Sequence, residues 1–315
     1  MSAIHILSMA NLQPMLLEPL HAAYVVHERL HEADPEAFKK IASHIRGIAA
    51  NGESKIDAEL LKQLPALEII AVMGVGYDGV DVAAAKARGI VVTHTPGVLN
   101  DDVADLAMAL MLTWARQVVR ADRFVRDGQW PTSAFPLGRR VSGARLGIVG
   151  MGRIGQAIAL RAAAFGMQIA YTARSAKADV SLPYLSTPVA LAAQSDFLVV
   201  ITPGGAETRK LIDASVLAAL GPKGCLVNVA RGSVIDEAAL IAALQAGTIA
   251  GAALDVFENE PHVPQALREM DNVVLTPHIG SATNDTRQAM ANLTLSNLKA
   301  HFAGNTLPSP VPECQ

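Results

Sequence analysis

An apolar run, Leu146-Gly147-Ile148-Val149, breaks at Gly150-Met151-Gly152-Arg153-Ile154-Gly155 and passes into an alanine-rich stretch over residues 156–165. Strand, glycine turn and helix in that order leave few folds open, because each glycine answers a different demand. The first permits a tight turn, the second lets backbone approach a diphosphate, and the third allows a helix to pack closely on the strand. The helix N-terminus then offers N–H donors and a favourable dipole to an anion. A ligand-free glycine turn is the plainer alternative, but the flanking strand and helix argue against it. The spacing predicts a dinucleotide site on Gly150, Gly152 and Gly155.

The rest of the chain repeats the theme. Apolar, β-branched runs alternate with alanine-rich helical stretches, the pattern of a parallel sheet covered on both faces. One series runs through residues 4–7, 45–49, 67–72 and 90–93, with a helical segment at 35–43, and a second begins at Arg145. Between them, Asp101 or Asp102 is placed to cap a long helix over residues 104–119, and residues 128–138 read as a loop rich in turn formers. Residues 284–302 form another long helix that ends at Gly304. At 315 residues the chain exceeds what one core usually serves. The predicted class is α/β with two doubly wound domains. A Rossmann cofactor domain, residues 99–282, is inserted into a discontinuous flavodoxin-like substrate domain formed by 1–98 and 283–315, with the active site expected in the cleft between them.

Composition removes other classes. The net charge is −3, and Lys and Arg are scattered, so a nucleic-acid partner is not expected. No Lys or Arg precedes Arg29, so the basic region of a secretion signal is missing, and the most apolar helical stretch, 103–115, contains Asp105 and is too short to cross a bilayer. Two cysteines, Cys225 and Cys314, give neither a disulfide framework nor a metal-ligand spacing. A cytoplasmic protein without metal or membrane is the expectation.

An NAD site would carry an acidic residue about twenty positions beyond the glycines, to hold the ribose hydroxyls. Here the strand over residues 168–173 ends in Tyr171-Thr172-Ala173-Arg174-Ser175, with Lys177 close behind. A guanidinium fork and a hydroxyl suit a 2′-phosphate, so NADPH is expected as cofactor with NADH the weaker alternative. The competing reading of Arg174 and Ser175 is a solvated basic loop.

Several ordered motifs together resemble the D-isomer-specific 2-hydroxyacid dehydrogenases. They are Met73-Gly74-Val75-Gly76-Tyr77-Asp78, then Thr95-Pro96-Gly97-Val98 leading to Asp101-Asp102-Val103-Ala104-Asp105, and the glycine turn. Leu226-Val227-Asn228-Val229-Ala230-Arg231-Gly232 follows, then Ala253-Leu254-Asp255-Val256-Phe257-Glu258-Asn259-Glu260-Pro261, and Leu275-Thr276-Pro277-His278-Ile279-Gly280. Within the family the chain is most similar to NADPH-preferring glyoxylate/hydroxypyruvate reductases and to hydroxyphenylpyruvate reductases. The resemblance implies reduction of a small 2-oxoacid to a D-2-hydroxyacid, with glyoxylate and hydroxypyruvate as leading substrates and aryl pyruvates as the alternative. A catalytically silent NADP-sensing protein is the reading from another class, opposed by the retained Arg231, Glu260 and His278.

The residues themselves supply a mechanism. Arg231, Asp255 and His278 each follow an apolar run, the strand end where α/β enzymes place ligands. Hydride addition to a ketone leaves an oxyanion, which an imidazolium at His278 can protonate. Arg231 suits clamping a carboxylate and polarising the keto oxygen. By the resemblance, Glu260 partners His278, with Glu258 a rival that geometry must decide. The same resemblance makes the backbone N–H groups of Val75 and Gly76 a substrate-carboxylate loop and gives Asp255 the nicotinamide carboxamide. It extends the dinucleotide site to Val103, Arg153, Ile154, Thr202, Pro203, Val229, Ala230 and Gly280, with Arg231 and His278 also at the cofactor. Substrate choice is expected to depend on Asn51, residues 73–77, Leu99 and residues 130–137. Trp130 and Phe135 lie in the loop that the resemblance assigns to a homodimer, with ordinary packing as the alternative. Singly, His278 reads equally well as a structural histidine, Arg231 as a surface arginine and Glu260 as a loop carboxylate. What favours the site is that all three fit one reaction.

Overall fold

Short, continuously apolar runs such as Ile69-Ile70-Ala71-Val72-Met73 suit strands buried on both faces, and such a run lies within a five-stranded parallel sheet. Its strands are β1 (His5–Ser8), β2 (Val25–Glu28), β3 (Ile45–Asn51), β4 (Ile69–Met73) and β5 (Val91–Thr93), in the order β2-β1-β3-β4-β5. This is the flavodoxin-like order. The computed structural model describes residues 3–315 and divides into two compact units, residues 3–99 with Thr283–Gln315, and Asn100–Ala282. The five-stranded sheet is the frame of the first. Sequence periodicity did not anticipate β2, because Val25-Val26-His27-Glu28 is a half-exposed edge strand with only two apolar residues.

The Asn284–Phe302 helix packs on β4 and on the Pro14–Ala23 helix within that unit. Fully buried Asn297 on this helix donates from Nδ2 to Ser309 Oγ at 2.8 Å and accepts the Ser309 N–H at 3.0 Å, fixing the chain that follows. That chain adds an antiparallel bridge between Pro310 and Thr93 of β5.

In the second unit six parallel strands take the order β11-β10-β9-β8-β6-β7. They are β6 (Arg145–Val149), β7 (Gln168–Thr172), β8 (Phe197–Val200), β9 (Cys225–Asn228), β10 (Gly251–Leu254) and β11 (Val273–Leu275). Outside β7, Tyr184 makes a single parallel bridge to Tyr171, the reduced form of the strand that a Rossmann sheet places there. Register aligns Val149 with Val200, Val200 with Asn228, Asn228 with Leu254 and Leu254 with Leu275. The C-terminal ends of five strands therefore stand in one row. From β6 the chain moves to β7 on one side and returns to β8 on the other, so the gap between β6 and β8 is the topological switch point.

One expected element differs. Asp101 and Asp102 lie inside the first turn of the Asn100–Arg116 helix rather than capping it. Their charges still complement the helix dipole, and Arg161 holds Asp101 at 3.0 Å and Asp105 at 2.5 Å, tying this helix to the Arg153–Ala164 helix. The helix also stops before residue 119: Gln117 turns left-handed at φ +52°, and a separate helix, Val118–Arg126, follows. Apolar residues continue across the break, so periodicity alone could not reveal it. Among the described residues, no helix is long and apolar enough to cross a membrane.

Candidate active site

The glycine turn lies at the end of β6, beside the end of β8. Gly150 adopts φ +106°, and a Cβ there would lie 2.8 Å from the Ile201 carbonyl oxygen. A Cβ on Gly155 would collide with the Gly150 carbonyl. These two glycines are consumed by internal packing. Gly152 differs: it caps the Arg153–Ala164 helix without any side-chain cap, and a Cβ there would enter open space. Uncapped helical N–H groups beside an open backbone are what a diphosphate requires, so the cradle fits a dinucleotide.

Along the row of strand ends, β11 delivers His278. Its backbone is left-handed at φ +52°, costly for a non-glycine residue, and is held by N–H donation to the carbonyls of Asp255 at 2.9 Å and Thr276 at 3.1 Å. The imidazole Nδ1 lies 2.7 Å from Glu260 Oε2, and both side chains are mostly shielded from solvent. Glu260 Oε1 accepts the Phe257 N–H at 2.8 Å, which fixes the carboxylate. Glu258 instead accepts from Arg209 at 3.2 Å. Geometry therefore gives the histidine to Glu260 and not to its rival.

Asp255, at the end of β10, is 1% exposed. Its Oδ1 accepts from the Thr276 hydroxyl at 2.7 Å and the Ile279 N–H at 2.8 Å, and its Oδ2 accepts the Gly280 N–H at 2.8 Å. Burial pushes this carboxyl up, against the pull of those donors and of His278. The carboxylate thus holds the loop that carries His278 from both sides. Gly280 is pinned in turn, since a Cβ on it would meet Asp255 Oδ2 at 3.3 Å and Val103 at 3.4 Å.

Arg231 follows β9, and its Nη1–H donates to the Ala230 carbonyl at 2.7 Å. The turn through Val229 and Ala230 is clamped by buried Asn228, whose amide donates to the Arg231 carbonyl and accepts the Ala230 N–H, both at 3.0 Å. Thr202 and Pro203 follow β8, where the Thr208 hydroxyl donates to the Pro203 carbonyl at 2.7 Å. Arg174 and Ser175 follow β7. The Arg174 side chain is 93% exposed, and its Nη1 stands 3.8 Å from Glu207 Oε2.

In the first unit, Val75 and Gly76 follow β4, and Asn51 closes β3 opposite Met73. Asn51 Oδ1 accepts the Ser54 hydroxyl at 2.8 Å.

Residues 108–280 match the sequence model of the D-isomer specific 2-hydroxyacid dehydrogenase, NAD binding domain. The chain belongs to the D-isomer-specific 2-hydroxyacid dehydrogenase family. It is 48% identical over 280 residues to a glyoxylate/hydroxypyruvate reductase A of Arabidopsis thaliana, covering 88% of this chain and 90% of that one. It is 44% identical to a hydroxyphenylpyruvate reductase of Plectranthus scutellarioides, over 99% of this chain and all of that one. The crystal structure of an NADPH-dependent glyoxylate/hydroxypyruvate reductase from Sinorhizobium meliloti, in complex with NADP and malonate, superposes with a TM-score of 0.94. There the identity is 47%, across 99% of this chain and 98% of that chain.

Three contributors to this candidate site were given no role in the sequence reading, although Asn228 and Gly232 stand in one of its motifs. Asn228 was legible as an amide closing an apolar strand, a buried polar group that must find partners. Gly232 follows Arg231, and a Cβ there would collide with the Phe257 carbonyl, so this glycine lets the arginine turn and the Phe257–Glu260 turn approach. Glu207 carries no local signal, because only folding brings it to Arg174.

Proposed function

We propose that this chain reduces small 2-oxoacids, glyoxylate and hydroxypyruvate foremost, to D-2-hydroxyacids with NADPH. The observation that carries this reading is the His278–Glu260 pair at 2.7 Å, standing in the same row of strand ends as the glycine turn. Names of relatives support the substrate class, since the Arabidopsis and Sinorhizobium proteins are both glyoxylate/hydroxypyruvate reductases.

NADPH, when bound on the Gly150–Gly155 turn, supplies the hydride. Everything else falls to the chain. Glu260 engages Nδ1 and sets the orientation of the imidazole, so Nε2 is the atom that gives a proton to the carbonyl oxygen. Arg231 presents a permanently charged fork to the carboxylate and the developing oxyanion. Val75 and Gly76 N–H groups receive the substrate carboxylate. Arg174 and Ser175 take the 2′-phosphate, a charge for which Glu207 is the resident competitor. Because cells keep NADPH reduced, reduction is the working direction.

A second reading within the same chemistry is aryl-pyruvate reduction, favoured by the full-length match to the hydroxyphenylpyruvate reductase. Turnover of glyoxylate, hydroxypyruvate and hydroxyphenylpyruvate with NADPH and with NADH tests both. The proposal expects fastest NADPH oxidation with the two small acids, and a preference for NADH or no oxidation at all overturns it.

The homodimer expectation draws support from the Val118–Arg126 helix, which buries none of its residues although Val118, Val119 and Val125 are apolar. In the loop that follows, Trp130 at 69% and Leu137 at 97% exposure are further apolar groups left uncovered. A monomeric mass by light scattering contradicts the dimer. The proposed compartment is the cytoplasm, in keeping with two free cysteines.

A further inference from the structure

We propose that His94 is a positioning residue for the substrate-carboxylate loop, acting through the peptide bond that joins Val75 to Gly76. The inference rests on the reading of Val75 and Gly76 as carboxylate donors and adds the group that aims them. His94 Nδ1 lies 3.0 Å from the Val75 carbonyl oxygen. A carbonyl only accepts, so Nδ1 carries the proton and donates. In a planar trans peptide the C=O and the next N–H point in opposite directions. Fixing the Val75 carbonyl on the imidazole therefore fixes the Gly76 N–H on the far side of the same plane. Donation to that carbonyl also polarises the peptide and strengthens its N–H as a donor.

The imidazole is itself held firmly. The His94 N–H donates to the Ser309 carbonyl at 3.1 Å, and the Ser309 hydroxyl donates back to the His94 carbonyl at 2.6 Å. Ser309 is locked by Asn297, fully buried on the Asn284–Phe302 helix. On its other side the imidazole meets the Tyr77 ring edge-on, with centroids 5.3 Å apart at 90°. The Tyr77 hydroxyl donates to Glu313 at 3.1 Å, and Lys86 holds the Glu313 carbonyl at 2.6 Å. At the start of the loop, the Gly74 carbonyl accepts the Thr95 N–H at 2.8 Å. The C-terminal segment thus braces both neighbours of the loop, and His94 carries that bracing to the peptide between Val75 and Gly76. Simple packing would require only the ring; positioning requires the Nδ1–H.

Two substitutions separate these roles. His94→Phe keeps the aromatic contact and loses the donor, whereas His94→Asn places an amide nitrogen near the position of Nδ1. The expected result for His94→Phe is a rise of about tenfold in KM for glyoxylate, the worth of one hydrogen bond, with kcat less affected and NADPH binding, read by protein fluorescence, unchanged. His94→Asn should bring KM back to within about threefold of the parent on the same reasoning. A parental KM in His94→Phe, or equal damage in both variants, overturns the proposal. Gly76→Pro and Val75→Pro, each checked for a native thermal midpoint, remove the loop N–H groups directly. If either proline raises KM while His94→Phe does not, only the role of His94 falls. If folded proline variants keep the parental KM, the carboxylate-loop reading itself falls.

Discussion

His278 Nδ1 and Glu260 Oε2 are 2.7 Å apart, and the second oxygen of that carboxylate is fixed by the Phe257 N–H at 2.8 Å. The glutamate is thus anchored to the backbone before it touches the histidine, and the imidazole is oriented by a group that cannot itself swing away. A surface ion pair would not give this constraint.

On the proposed mechanism, loss of the imidazole removes the proton donor. His278→Gln should lower kcat by roughly 10²- to 10⁴-fold, the usual contribution of general acid catalysis, while NADPH binding stays near the parent value. Glu260→Gln should cost less. The Gln amide can still accept from Nδ1 but not through a fixed carboxylate, so the imidazole loses part of its alignment. Steady-state kinetics of the two variants check this, and a parental kcat in Glu260→Gln argues against the pairing having a chemical role.

The glycines of the turn should separate binding from folding. Gly155→Ala drives a methyl into the Gly150 carbonyl and should cost about 1–3 kcal/mol of stability, as overpacking does. Gly152→Ala meets open space, so its thermal midpoint should match the parent while cofactor affinity falls. Calorimetric melting alongside NADPH titration reads both quantities.

Arg174 and Glu207 face each other at 3.8 Å and are both well exposed. Arg174→Ala should weaken NADPH binding about tenfold or more, as expected for a charged hydrogen bond, and leave NADH nearly unchanged. Glu207→Gln should act in the opposite sense, tightening NADPH by removing a like charge from the 2′-phosphate position. Dissociation constants for the two cofactors across both variants decide the matter.

Glu68 of the first unit accepts two hydrogen bonds from Arg46, at 2.5 and 3.1 Å, and stands 3.1 Å from His301. The Arg46 hydrogen bonds, with His301, hold its carboxyl below its usual 4.5 against the opposing effect of burial. The folded form prefers the ionised carboxylate, so this stabilisation is present above pH 4.5 and lost as pH falls through the lower folded value. Glu68→Gln should therefore be less stable than the parent at pH 7, by under about 1 kcal/mol because the pair is partly exposed. The gap should close below pH 4.5 in denaturant titrations.

Local signals carried far in this chain because its essential parts are contiguous. Strand, glycine turn and helix occur within residues 145–165, and each of Arg231, Asp255 and His278 lies within three residues after a strand. A parallel sheet turns such runs into a row of C-terminal ends whatever their separation in sequence. Edge strand β2, the break at Gln117 and the contact of Arg174 with Glu207 have no such local code. The first is too polar, the second falls on a polar pair between Ala115 and Val118 that a continuous helix would also accommodate, and the third joins two loops.

The amino-acid order alone determined the two-sheet α/β class and the dinucleotide turn, because periodicity and glycine spacing act over a few residues, and it singled out His278 as the candidate proton donor. Tertiary structure decided which carboxylate serves His278. Glu258 and Glu260 are equivalent in sequence, but Arg209 draws the first away while the Phe257 N–H and the left-handed backbone of His278 align the second. Hydrogen bonds have direction and a reach of about 3 Å, and only the folded chain sets those distances.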